Sequence, residues 1–284
     1  MEPQRLLALY AHPDDEILGP GGAIAYYARQ GARVDLVVAT RGEAGEIADP
    51  ALATPENLGQ VREQEMRCSA ETLGISQVVF LGYRDSGMEG TEDNQNPRAY
   101  MNSDPAEVVP RLVEIVRRLQ PQVILTFEPY GGYGHPDHKT IHKHAHLAVD
   151  AAADATYRPD LGPVWDTPRL FYPLLRRPTW AAMKERMAAH NLDLSFFDGL
   201  EERRGQGWPD DQFQVTLDVG AVTQQKLAAF RCHATQFGAD NVFRRLPEAE
   251  MAEVLRYEYF ALARPAPPPG LHLTDLFADW AAAA

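Results

Sequence analysis

Apolar runs of four to eight residues recur along the chain and alternate with longer amphipathic stretches. Leu6–Ala11, Val34–Thr40, Val78–Leu81 and Val123–Phe127 are almost continuously apolar, which predicts strands buried on both faces. Between them, Ala23–Gln30, Gln60–Leu73, Ala106–Leu119 and Pro136 to about Ala153 carry helical spacing. Gly31 and Gly74 stand at helix stops, and Pro136 suits a first helical turn. This βαβαβαβα order predicts an α/β fold: a mainly parallel sheet with helices on both faces. The polar stretches Arg41–Gly59 and Gly82–Asp104 read as long loops of the kind that carry function.

After Asp154 the pattern loosens. Arg169–Arg176, Phe213–Val219 and Tyr257–Ala263 read as strands, and Val222–His233 and Glu248–Arg256 as helices. Pro265–Pro269 reads as a stiff linker and Asp275–Ala284 as a short docking helix. The expected organisation is one domain over 1–284: a core at 1–154, a part at 155–264 capping the sheet edge, and a linker and tail at 265–284.

Two strand ends carry chemistry. His12-Pro13-Asp14-Asp15-Glu16 follows the first strand, and His135-Pro136-Asp137-His138 follows the fourth. Ligands bind at the carboxyl ends of strands in open α/β sheets. His12 and Asp15, three residues apart, can share a turn, and His138 arrives from the other strand. Two imidazoles and one carboxylate leave net positive charge on a divalent ion, which acidifies water. Zn²⁺ suits such a set, and Fe²⁺ fits the same ligands. Asp14 is then the natural general base, and Asp137 an acceptor for the free N–H of a ligating histidine. Glu16 points the other way, toward the following helix. A competing pair, His138 with His142, continues at helical spacing to His146 but lies farther from the strand edge. His144 falls on another face and is expected in solvent.

Other features carry less. Gly19-Pro20-Gly21-Gly22 lacks both the dinucleotide pattern and a phosphate-loop lysine, and the acidic residues before it oppose a pyrophosphate. There is no G-x-S-x-G nucleophile elbow. Tyr133, in a Gly-Gly-Tyr-Gly loop, is either mobile or packed on the sheet edge. Arg62 either reaches substrate or pairs with Glu65 on a solvated helix face. Asp85 either reaches substrate or orders its own turn. Trp208 is a candidate pocket wall; the other tryptophans read as packing.

Composition narrows the class. The 284 residues are 45% hydrophobic and 24% charged, enough for a large core. A net charge of −13 argues against nucleic acid and anionic membrane as partners. No apolar run reaches the roughly 20 residues of a membrane helix, and no signal peptide is evident, so a cytoplasmic location is expected. Two cysteines, Cys68 and Cys232, exclude a disulfide scaffold and a cysteine-rich zinc module, and fit a reducing compartment. Cys68 reads as packing within a helix.

Ala-His-Pro-Asp-Asp-Glu after the first strand, with Gly-His-Pro-Asp-His after a later one, resembles the PIG-L/LmbE-like de-N-acetylase superfamily, which removes acetyl groups from N-acetylglucosaminyl compounds. Gly42–Ile47 (GEAGEI), Arg84–Met88 (RDSGM), Gly131–His138 (GGYGHPDH) and His233–Gln236 (HATQ) extend the likeness over almost the whole chain. They point to the group of the mycothiol biosynthesis deacetylase and the mycothiol-S-conjugate amidase. The resemblance implies a Rossmann-like sheet and makes His12, Asp15 and His138 the zinc ligands and Asp14 the base. It makes His135 an acid or oxyanion stabiliser, Tyr133 a carbonyl-polarising residue, and Arg62 and Asp85 residues that grip the sugar or its aglycone. Cys232 stands where a small residue such as alanine is expected, and no chemistry is assigned to it. The implied substrate is a small aminosugar glycoside, or a thiol conjugate if a larger acyl group is cut. A non-catalytic sugar- or nucleotide-binding protein is the third reading. Oligomeric state, a homo-oligomer included, stays open.

Overall fold

A computed structural model describes residues 3–202 and 207–279. Its strands are β1 (Arg5–Tyr10), β2 (Arg33–Thr40), β3 (Gln77–Tyr83), β4 (Val123–Leu125), β5 (Arg169–Leu174), β6 (Val215–Asp218) and β7 (Tyr257–Arg264). They form one sheet in the order β3-β2-β1-β4-β5-β7-β6. The first five run parallel, while β7 is antiparallel to both β5 and β6. The parallel part is the one expected from the alternating pattern. After Asp154, β5 to β7 widen the sheet itself.

The helices are α1 (Asp15–Leu18), α2 (Gly21–Arg29), α3 (Leu58–Leu73), α4 (Pro105–Leu119), α5 (Pro136–Ala153), α6 (Arg177–Ala189), α7 (Ser195–Glu202), α8 (Thr223–Cys232), α9 (Val242–Arg245) and α10 (Glu248–Val254). β1 explains the layering. Leu6, Ala8 and Tyr10 pack with Ile17, Ile24 and Met66 on one face. Leu7, Leu9 and Ala11 pack with residues of α4 and α5 on the other. A strand buried on both sides needs apolar residues at every position, and that is how β1 reads. Asp104 starts α4 by accepting the Ala106 N–H at 2.8 Å, and Gly74 ends α3 in a left-handed conformation.

The glycine segment before α2 is no anion loop. Glu258 of β7 takes the N–H groups of Gly22 and Ala23 at 2.6 and 2.7 Å, so a protein carboxylate occupies that helix N-terminus. Lys226 of α8 closes the cluster, 2.6 Å from Glu258.

Three expectations need correction. Cys68 and Cys232 are joined in a disulfide between α3 and α8, so Cys68 is not simple packing and Cys232, to which the sequence assigns no chemistry, is its bonded partner. His144 is buried against the Tyr100 hydroxyl at 3.0 Å, because its face of α5 meets the long loop after β3. The described part of the expected terminal helix, Asp275–Asp279, is turn and irregular chain, and the rest of that prediction lies outside the described residues. Among the described residues no helix is long and apolar enough to cross a membrane.

Candidate active site

β1 and β4 are neighbours, yet the chain leaves them for opposite faces of the sheet: toward α2 beyond β1, toward α5 beyond β4. The strand order reverses there, opening a crevice at their carboxyl ends. Both histidine clusters lie in it.

His12 Nδ1 stands 3.1 Å from His138 Nε2. Asp15 bridges the pair, with Oδ1 3.2 Å from His138 Nε2 and Oδ2 3.7 Å from His12 Nδ1. Asp15 also accepts the His12 N–H at 2.8 Å, which holds the turn shut. The outer nitrogens set the tautomers. His138 Nδ1 faces the Gly131 carbonyl at 3.0 Å and must donate to it. His12 Nε2 faces Asp137 Oδ2 at 3.2 Å and Asp85 Oδ1 at 3.4 Å, and must donate likewise. Two lone pairs and a carboxylate therefore converge, an arrangement that requires a cation among them, proton or metal. The 3.1 Å between the two imidazole nitrogens is near the roughly 3.3 Å that separates ligand atoms about 2.0–2.1 Å from a small tetrahedral ion. Asp15 offers a different oxygen to each ring, and the buried groups whose ligand atoms lie close enough to share one ion are His12, His135 and His138, and His12, Asp85, His135 and Asp137.

The electrostatics agree. Burial alone would raise the Asp15 pKa, but His138 and His12 hold it well below the usual carboxylate range. Burial opposes charge on His12, yet Asp85, Asp137 and Asp15 outweigh it and raise its pKa. Asp85, buried too, is held low by His12.

His135 begins α5 as its N-cap, with Nδ1 accepting the Asp137 N–H at 3.1 Å. Its proton therefore sits on Nε2, 3.9 Å from Asp85. Burial, with His12 and His138 close by, pushes its pKa down to about 3, so the ring is neutral. Asp137 is fully buried and accepts from the Ser86 N–H at 2.9 Å and the Ser86 hydroxyl. Tyr133 is half-exposed in its glycine loop, its ring 5.0 Å from that of His138. Phe127 stacks on His138 at 3.9 Å and fixes the ring plane.

Asp14 borders this group. It has a left-handed backbone, φ 112°, and its carboxylate accepts from Arg62 at 3.0 Å. Burial raises its pKa to about 6, with Arg62 pulling down and Asp15 pushing up. Arg62 is no solvated partner of Glu65: it is buried under Gly42 and Gly45, donating to the Gly42 and Pro13 carbonyls as well. Glu65 instead accepts from Thr235. Asp85 does order its own turn, accepting the Gly87 N–H at 2.9 Å, and it also faces His12.

His142 and His146 stay outside. His142 bonds the Phe127 carbonyl and His146 the Tyr172 hydroxyl. Glu16 does not serve α2; it is buried between Ser69 and His233. Ser86 and His233 are the contributors the residue reading passed over. Each sits in a motif of the resemblance, which was the available signal.

Residues 7–149 match the family model described as PIG-L, GlcNAc-PI de-N-acetylase. The 1D-myo-inositol 2-acetamido-2-deoxy-alpha-D-glucopyranoside deacetylase of Geodermatophilus obscurus is 40% identical over 272 residues, 92% of each chain. Its namesake in Streptomyces scabiei is 37% identical over 286 residues, 96% of this chain and 88% of the relative. Of solved structures, the N,N'-diacetylchitobiose deacetylase of Pyrococcus horikoshii superposes with a TM-score of 0.64 at 21% identity, over 92% of this chain and 84% of its own. A 4-carboxy-2-hydroxymuconate hydratase from Pseudomonas putida gives 0.63 at 22%, over 94% and 99%. Those two likenesses concern the fold, and the hydratase shows that the fold hosts more than one chemistry. The family match and the two close relatives decide membership: the chain belongs to the PIG-L family, the GlcNAc-PI de-N-acetylases.

Proposed function

We propose that this protein is a metal-dependent hydrolase that removes the N-acetyl group from an N-acetylglucosaminyl glycoside, with Zn²⁺ as first metal and Fe²⁺ as second. The inositol glycoside for which its relatives are named is the substrate to test first. One observation carries the reading: His12 Nδ1, His138 Nε2 and the Asp15 carboxylate converge with both imidazole lone pairs turned inward.

In this reading His12, Asp15 and His138 hold the ion, and Asp137 fixes the tautomer of His12. The ion supplies Lewis acidity toward the amide carbonyl and acidifies nearby water. Asp14 takes the proton of the attacking water and returns it to the departing amine. His135, neutral with its proton on Nε2, donates a hydrogen bond to the developing oxyanion, a contact typically worth ~3 kcal/mol. Tyr133, on a half-exposed loop, is the second donor. Arg62 and Asp85 already engage protein groups, so we assign them to orienting Asp14 and the imidazoles instead of gripping the sugar directly.

The test is amine and acetate release from the inositol glycoside by protein loaded with Zn²⁺ or Fe²⁺, with bulkier acyl thiol conjugates alongside. Release from the acetyl compound supports the reading. Release only from the bulkier amides makes the protein a conjugate amidase. Binding without release under either metal overturns the reading.

A further inference from the structure

The Pro13–Asp14 peptide is held at both ends by buried side chains. Its carbonyl accepts from Arg62 Nη2 at 2.6 Å, and its N–H donates to Glu16 Oε2 at 2.9 Å. The following plane is held as well, since the Asp14 carbonyl accepts the Ile17 N–H at 3.2 Å, and with both planes fixed φ of Asp14 stays at 112°, a conformation that costs a non-glycine residue about 1–3 kcal/mol unless its surroundings impose it. Glu16 is itself locked. It is fully buried, and Oε1 accepts from Ser69 Oγ at 2.5 Å and from His233 Nε2 at 2.7 Å. Ser69 lies on α3 and His233 just past α8, each next to a half of the Cys68–Cys232 disulfide that ties those helices together.

The consequence falls on two successive carboxylates with different duties. Asp15 turns inward to the imidazoles. Asp14 stays at the rim, bonded to Arg62 and 19% exposed. The left-handed residue at the first position divides them.

We propose that Glu16 is a positioning residue for the reaction: anchored by Ser69 and His233, it holds the Asp14 amide so that the Asp14 carboxylate faces the attacking water while Asp15 faces the metal. The inference rests on the deacetylase reading, in which Asp14 is the base.

The test uses the full-length, zinc-loaded protein and the inositol acetamido glycoside. Glu16→Ala should lower kcat about 10²-fold, the scale of a small misplacement of a catalytic group, and leave KM and zinc content near wild type. Glu16→Gln, whose amide oxygen can still accept from the Asp14 N–H while its NH2 replaces the oxygen that Ser69 and His233 hold, should recover part of the loss. In an Asp14→Asn background Glu16→Ala should cost nothing further, because the residue acts only through Asp14. A crystal structure of Glu16→Ala should show Asp14 out of its left-handed conformation. Should that variant fail to fold, Ser69→Ala and His233→Asn, which loosen Glu16 from behind, should give the same split between kcat and KM. Unchanged kcat, a loss that adds to that of Asp14→Asn, or an unmoved Asp14 backbone overturns the proposal. A wild-type protein that releases no amine counts against the deacetylase reading alone, and the Asp14 backbone in the variant still decides the positioning role.

Discussion

His12 Nδ1 and His138 Nε2 face each other across 3.1 Å while each ring's other nitrogen donates, one to Asp137 and one to the Gly131 carbonyl. That pairing is repulsive without a positive charge between the rings. His138→Ala should therefore lose metal on dialysis, and unchanged metal content would remove it from the ligand set. Asp137→Ala keeps the three proposed ligands but frees the His12 ring, and should weaken metal binding about 10–100-fold. The proposed ion would bind the folded state alone, so a chelator should lower the wild-type melting temperature.

In the proposed reaction Asp14, with Arg62 beside it, sets the acid side of the pH profile. Asp14→Asn should retain metal and lose about 10²–10⁴ in turnover. The Asp14 carboxyl, raised to about 6 chiefly by burial, must be ionised to act as base, so activity falls as pH drops through its pKa. In the proposed metal-loaded protein a divalent ion on neighbouring Asp15 would lower that pKa, placing the acid limb of kcat/KM at or below pH 6. Arg62→Met removes a charge that pulls the pKa down, so the limb should move to higher pH. A limb that stays put would mean that another group titrates.

The strands and the meeting of the two His-Pro-Asp segments at their ends were readable because their signals are local. An unbroken apolar run means a two-faced strand wherever it lies, and His-Pro-Asp-Asp-Glu at such a strand's end leaves few roles for its side chains. What stayed hidden depends on distant partners. Glu16 reads as turned toward the following helix until His233, 217 residues on, comes to lie 2.7 Å away. Arg62 looks solvated until the loop after β2 covers it. Helix α6 went unseen because only Met183 and Met187 are fully buried on it, too sparse a stripe to stand out.

His144 makes stability pH-dependent. Burial, with Lys143 nearby, pushes its pKa down to about 4 from an ordinary 6.5. The unfolded chain therefore binds a proton that the folded one refuses, and stability present above pH 6.5 is lost as pH falls toward 4. The loss due to this residue should be on the order of 1–3 kcal/mol. Urea unfolding at pH 7.5 and pH 5 should show a smaller difference in His144→Gln than in wild type, and an equal difference would rule out this residue as the source.

Glu258 and Lys226 are buried together at the start of α2. Glu258→Ala strands a lysine and two backbone N–H groups, and should cost about 3–5 kcal/mol in denaturant unfolding. Replacing both by methionine should recover part of that loss, since no charge is left unpaired. Gly22→Ala should also destabilise, because a Cβ there would lie 2.6 Å from both Glu258 Oε1 and Val219 Cγ2.

The Cys68–Cys232 bond spans 164 residues and joins the two helices that anchor Glu16. Closing so long a loop restricts the unfolded chain, so Cys68→Ala with Cys232→Ala should cost about 2–5 kcal/mol. Zinc content, set by the proposed ligands beyond β1 and β4, should not change. Turnover should fall, because Ser69 and His233 lose the crosslink that sets their spacing around Glu16. Thiol titration of the unreduced, unfolded protein provides the direct check: the disulfide leaves no free cysteine. Finding both thiols free there would show that α3 and α8 rest on packing alone, and the double variant would then match wild type in stability.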